Sequence, residues 1–94
     1  MKGWWSPEHL IILKYFYNER AFSEKHSVSL KAVERDLGHR IEDLESRLDE
    51  MVGWGLLGCK KKRVKHYYAS ARETIRTLQE NGFQIWRGNQ GPLP

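Results

Sequence analysis

Apolar side chains recur at helical spacing in the first half of the chain, and the pattern predicts three helices. These are expected at about residues 7–19, 30–37 and 40–53, and the third has the most regular apolar stripe. The stripes are Leu10, Leu13, Phe16 and Tyr17, then Leu30, Val33 and Leu37, then Ile41, Leu44, Leu48 and Met51.

Capping residues support the first two boundaries. Ser6 precedes Pro7, and a serine cap followed by proline at the first helical position is typical of a helix start. Ser29 can cap the second helix and Gly38 can end it. The stretch of residues 20–29 is polar and aperiodic, which predicts a connection with room for a short extended piece.

Beyond the third helix the apolar period changes from 3.6 to about 2. Residues Leu56–Lys60 and Val64–Ala69 are therefore predicted to be two strands joined by a charged turn. In the second strand we expect Tyr67 and Ala69 to face inward and Tyr68 to face outward.

A last helix is predicted after Ser70, which stands three residues before Glu73 as in a capping box. Ile75 and Leu78 form its apolar side. We assign residues 1–82 to one domain and residues 83–94 to a C-terminal tail, because 94 residues suit a single modest core.

The composition predicts the cellular environment of the protein. The chain carries a formal net charge of +4 and one cysteine, which fits a reducing, cytoplasmic environment. No apolar run approaches the roughly 18 to 20 residues that a membrane span requires, so no membrane partner is expected.

The charges are distributed unevenly. Residues 60–65 hold five cations, whereas residues 40–51 hold two arginines and five acids, a net charge of −3. A basic run favours a polyanionic partner such as nucleic acid. The alternative to a nucleic-acid contact is a solvent-exposed hairpin that binds no partner and whose lysines disfavour edge-to-edge strand pairing.

The segments LESRLDEMVGWGLL and KKKRVKHYYAS resemble the recognition helix, wing tip and return strand of winged helix-turn-helix domains. The resemblance spans roughly residues 7 to 82. It implies an α+β, mainly α fold, in which a three-helix bundle carries a β-hairpin wing and a C-terminal helix. It also implies a DNA-binding transcription regulator, most similar to small prokaryotic, archaeal or viral ones, acting as a homodimer in the cytoplasm or nucleoid.

The resemblance places candidate DNA contacts on three elements. They are Lys60, Lys61, Lys62, Arg63 and Lys65 on the wing, His39, Arg40, Asp43 and Arg47 at the start of the third helix, and Lys31 on the second. The acids of the third helix would repel phosphates. They also allow two alternatives, a solvated face with an Asp43–Arg47 pair or a face that docks a basic protein partner.

Other sites receive less support. Trp4, Trp5 and Trp86 are candidates for a dimer interface, with packing onto the same chain as the alternative. A tyrosine that stacks on single-stranded nucleic acid is a minor possibility. No catalytic motif, metal-ligand spacing or cofactor loop is apparent, so we expect neither an enzyme nor a bound cofactor.

Overall fold

The computed structural model describes residues 6–83, which form four α-helices and a three-stranded antiparallel sheet. The helices are α1 (Pro7–Asn18), α2 (Leu30–Leu37), α3 (Leu44–Gly53) and α4 (Ala71–Glu80), and the strands are β1 (Val28–Ser29), β2 (Leu57–Lys61) and β3 (Lys65–Ala69). A short 3₁₀ helix, Glu24–His26, precedes β1. The described chain is thus a compact, mainly helical α+β domain, as the apolar pattern predicted.

Serine caps begin three of the helices where the sequence predicted them. The Ser6 hydroxyl accepts the His9 backbone N–H, and the His9 ring accepts the Ser6 N–H in return, so α1 starts with a complete capping box. Ser29 caps α2 and Ser70 caps α4, each through its hydroxyl alone; the Glu73 side chain, predicted to complete a capping box with Ser70, instead accepts from Arg76. Local side-chain chemistry therefore fixes these three boundaries.

Helix α3 begins at Leu44, four residues later than expected. The backbone N–H groups of Arg40 and Ile41 both donate to the Leu37 carbonyl, which prolongs the turn after α2. Asp43 then takes a left-handed conformation with φ of 52°, and its side chain does not cap α3. Ile41 is nevertheless buried, so the apolar stripe was predicted correctly while the helix boundary was not.

The sheet has a third strand that the hairpin prediction did not include. Strand β3 lies in the centre, with β2 on one side and β1 on the other. The β1 register pairs Val28 with Tyr67 and Ser29 with His66. Strand β1 has only two residues, too few for alternation to be read from the sequence.

The core lies between the helices and the inward face of the sheet. Phe16, Leu48, Met51 and Tyr67 are among its largest fully buried side chains. Tyr67 and Ala69 are both buried while Tyr68 is only partly so, which confirms the predicted alternation of β3.

A phenol–carboxylate hydrogen bond joins the first two helices. Tyr15 on α1 donates its hydroxyl to Asp36 on α2 over 2.7 Å. Burial, and then this bond, raises the pKa of the Tyr15 phenol, while the bond lowers the pKa of Asp36. The donor and acceptor are thus both held in the protonation states that keep α1 against α2 near neutral pH.

Two further predictions concern a dimer interface and a membrane span. Trp4, Trp5 and Trp86 lie outside residues 6–83, so the proposed dimer interface is not part of the description. Within those residues, none of the helices has both the length and the apolar character that crossing a membrane requires.

Truncating the centre of α3 should test the core. Leu48 is fully buried, so Leu48→Ala should lower the free energy of unfolding by about 2 to 5 kcal/mol through lost burial and a residual cavity. Ser46→Ala, on the exposed side of the same helix, should change it by less than about 0.5 kcal/mol. Urea denaturation of both variants measures the difference, and equal midpoints would contradict this packing.

Candidate nucleic-acid interface

The hairpin formed by β2 and β3 has two chemically different faces. Lys65 and Tyr67 point towards α3, on what we call the inner face. Lys60 and Tyr68 point the other way, towards the 3₁₀ helix, on the outer face. The alternation of side chains along each strand therefore divides the basic run between two environments.

On the inner face, Asp49 of α3 joins the helix to β3. One carboxylate oxygen accepts the Tyr67 hydroxyl over 2.7 Å and the other accepts the Lys65 ammonium over 2.9 Å. The same ammonium also donates to Glu45 over 2.9 Å. We call these four residues the Asp49 junction.

Protonation equilibria of the Asp49 junction reflect these bonds. Burial works to raise the pKa of Asp49, but the hydrogen bonds from Lys65 and Tyr67 outweigh it and hold the pKa below the ordinary aspartate value. The bonds to Asp49 and Glu45 raise the pKa of Lys65. Burial, and then the bond to Asp49, raises the pKa of Tyr67. The junction is therefore fully formed at neutral pH.

The Asp49 junction changes the interpretation of the basic run. Lys65 is occupied by two carboxylates, and Lys60 lies 3.5 Å from Glu24. The remaining three cations are exposed and form no ion pair with any residue between 6 and 83; they are Lys61, Lys62 and Arg63. We call these three residues the basic tip.

A polar groove of about 280 Å³ lies on the outer face. Its lining comes from the 3₁₀ segment and the hairpin, and comprises Glu24, Lys25, Ser27, Lys60, Lys62 and His66. We call it the outer groove. Sequence reasoning missed Lys25 and Glu24, because they lie in an aperiodic connection and nothing in its pattern indicates that it packs beside the hairpin.

The candidate contacts predicted on α2 and near the start of α3 do not form one cluster with the hairpin. His39 and Arg40 are exposed but lie in the turn before the helix, as does Asp43. Arg40 lines a separate cleft with Lys14, Tyr15 and Phe83. Lys31 is exposed on α2. No hydrogen bond between side chains of the described residues joins these four positions to the hairpin.

Arg47 has a different environment from the one predicted. It forms no salt bridge with Asp43, and its Nε is buried without a hydrogen-bond partner among the described residues. A half-buried guanidinium is poorly placed to reach a base edge, because it would have to leave its packing first. Arg47 is therefore less accessible than the candidate contacts in the turn before α3, which are all exposed.

The acids of α3 are largely occupied within the chain. Glu45 and Asp49 bind Lys65, and Glu50 lies 3.2 Å from the His9 imidazole. The other two acids of residues 40–51 are Glu42 and Asp43, in the turn before α3, and they have no side-chain partner among residues 6–83. Most of the acidic face is thus explained by intramolecular bonds.

Comparisons of this chain with protein-family models, with curated proteins and with solved structures give no match. Among residues 6–83, no group of three or more histidine, cysteine, aspartate or glutamate side chains is placed to hold a metal ion. The function is therefore inferred from the hairpin and its charges.

Removing the cation of the Asp49 junction should destabilise the fold in a pH-dependent way. Lys65→Met leaves Glu45 and Asp49 without their shared partner, so the urea midpoint at pH 7 should fall. Lys62→Met, an equal change in the basic tip, should leave it unchanged.

The sign of the pH effect follows from Asp49. Its folded-state pKa is lowered, so its contribution is present above the ordinary value of about 3.9 and is lost as the pH falls through the folded-state pKa. The difference in urea midpoint between wild type and Lys65→Met should therefore become smaller in acid. A gap that is constant from pH 7 to acid would contradict this assignment.

Proposed function

We propose that this chain is a winged-helix domain that binds duplex DNA, with the β2–β3 hairpin as its wing. The observation that carries the proposal is the basic tip, three exposed and unpaired cations at the end of a hairpin anchored by the Asp49 junction. The element order and the β1-β3-β2 sheet support the winged-helix assignment. Anchored cations that project into solvent suit the phosphate backbone.

In this proposal the wing contributes more to affinity than helix α3 does. The turn just before α3 carries the exposed Glu42 and Asp43, and the half-buried Arg47 on the helix offers little compensation. Carboxylates near phosphates are repelled, although a single one can accept from a cytosine amino group. We therefore expect mainly backbone contacts, with weak sequence preference.

The biological role that we propose with this activity is transcription regulation, by a homodimer acting in the cytoplasm or nucleoid. This role follows from the resemblance of the sequence to small winged-helix regulators. Dimerisation would present two hairpins to one duplex, and half-sites about 34 Å apart would then match one DNA turn.

The alternative, a module that docks a basic protein on α3, receives less support. The three acids on this helix, Glu45, Asp49 and Glu50, already have partners inside the chain. Glu42 and Asp43 remain, and two adjacent carboxylates form a small patch for a specific interface.

Neutralising the basic tip tests the proposal. Changing Lys61, Lys62 and Arg63 to alanine together should weaken binding of a fluorescent duplex strongly. If all three contact phosphates, the slope of log K against log salt should also become less negative by about 2.7. Titration by fluorescence anisotropy at several salt concentrations provides both values.

The matched control removes three cations elsewhere. Lys14, Arg72 and Arg76 lie on α1 and α4, so their joint replacement by alanine lowers the net charge equally without touching the hairpin. It should bind more tightly than the tip variant and keep most of the salt slope. Equal binding by wild type and both variants would refute the proposal.

Reversing one charge in the turn just before α3 tests whether the start of this helix faces the duplex. Glu42→Lys removes an unpaired carboxylate without breaking the Asp49 junction, so it should tighten DNA binding several-fold. Glu80→Lys at the end of α4 changes the net charge by the same amount and should have a smaller effect. If the two variants bind alike, α3 does not lie against the DNA.

A further inference from the structure

The outer groove combines cations from two segments that are far apart in the sequence. Lys25 comes from the 3₁₀ helix, whereas Lys60 and Lys62 come from β2 and the turn that follows it. Against these three cations stands one carboxylate, Glu24. The groove therefore has a net positive charge, and it opens on the side of the sheet away from α3.

We infer that the outer groove binds the phosphodiester backbone of duplex DNA, with Lys25 as a contact and Glu24 as an internal competitor. The inference rests on the proposed function and deepens it, because it names the face of the hairpin along which the strand runs. The inference adds Lys25, which lies outside the hairpin, to the candidate DNA contacts and removes Lys65 from them.

The segment that carries Lys25 is held in place by local hydrogen bonds. The Ser23 hydroxyl accepts the His26 backbone N–H over 3.4 Å, which caps the 3₁₀ helix. The Ser27 hydroxyl donates to the Glu24 carbonyl over 2.8 Å. Because the backbone is fixed at both ends of this turn, binding a phosphate through Lys25 requires ordering of one side chain rather than of a loop.

The inner face is a poor alternative for the backbone. It carries Lys61 and Lys65, which stand opposite each other in the sheet, against the two carboxylates of Glu45 and Asp49. A phosphate at Lys65 would meet both carboxylates and would have to displace them. On the outer face a phosphate meets Lys25 and Lys62, neither of which has an ion-pair partner among residues 6–83. The charges therefore favour the outer face.

Glu24 gives the groove a built-in competitor for anions. Its carboxylate lies 3.5 Å from the Lys60 ammonium, and one of its oxygens lies 3.5 Å from the Tyr68 hydroxyl. Both distances are long for strong hydrogen bonds, so the pair is loosely held. A phosphate that binds Lys60 would displace Glu24 from this ammonium, and the nearby Glu24 carboxylate would repel the bound phosphate.

Two single substitutions with opposite expected effects test the groove. Lys25→Ala should weaken duplex binding and make the salt slope less negative by about 0.9, the value for one phosphate contact. Glu24→Gln keeps the shape of the side chain, removes its charge and should tighten binding. Lys14→Ala, the same change as Lys25→Ala but in the separate cleft beside Phe83, should match wild type in both values.

The binding assay uses the full chain and a fluorescent duplex, with a single strand of the same sequence as a second probe. Urea midpoints of each variant verify that the fold is retained. Opposite shifts for Lys25→Ala and Glu24→Gln on the duplex, with weaker binding of the single strand, would support the groove. Tighter binding of the single strand, with the same two shifts, would overturn the assignment to duplex DNA.

Failure of the groove is distinguishable from failure of the proposed function. If Lys25→Ala and Glu24→Gln bind the duplex like wild type while the tip variant binds weakly, the groove is wrong and the DNA-binding function stands. If the tip variant also binds like wild type, both are wrong.

Discussion

The carboxylate of Asp49 is the constraint on which the arrangement of the hairpin depends. Among residues 6–83 it is the one acceptor that receives both a buried phenol and an ammonium from β3, so it holds the strand against α3 through two hydrogen bonds. Tyr67 is fully buried, and its hydroxyl would otherwise lose its hydrogen bond on folding. Strand β3 is central in the sheet, so β1 and β2 take their positions from it.

This constraint also explains why an acidic helix and a basic hairpin are neighbours. Glu45 and Asp49 neutralise Lys65 on the inner face, and Glu24 approaches Lys60 on the outer face. The paired cations Lys60 and Lys65 belong to the last two strand pairs before the turn, and the unpaired ones are Lys61, opposite Lys65, and the turn residues Lys62 and Arg63. A run of five cations thus has two parts, one that supports the fold and one that remains available to a partner.

Local chemistry made much of the fold predictable. The caps at Ser6 and Ser70 and the alternation that buries Tyr67 each depend on residues close in sequence. The remaining features depend on distant contacts. Strand β1 forms because it pairs with the edge of β3, and Lys25 joins the candidate site because the 3₁₀ segment packs beside the hairpin. Neither of these two contacts produces a recognisable pattern in the sequence, whereas the basic tip is visible there as a run of consecutive cations.

The left-handed residues of the two long connections bear on how relatives of this chain could be recognised. Arg20 and Asp43 have φ of 56° and 52°, in the left-handed region that glycine, asparagine and aspartate adopt more readily than arginine. The Asp43 side chain does not cap α3, whereas the Arg20 guanidinium donates to the Tyr17 carbonyl over 3.4 Å. Related sequences can therefore carry glycine or asparagine at these positions, while the aspartate at 49 and the tyrosine at 67 should vary together.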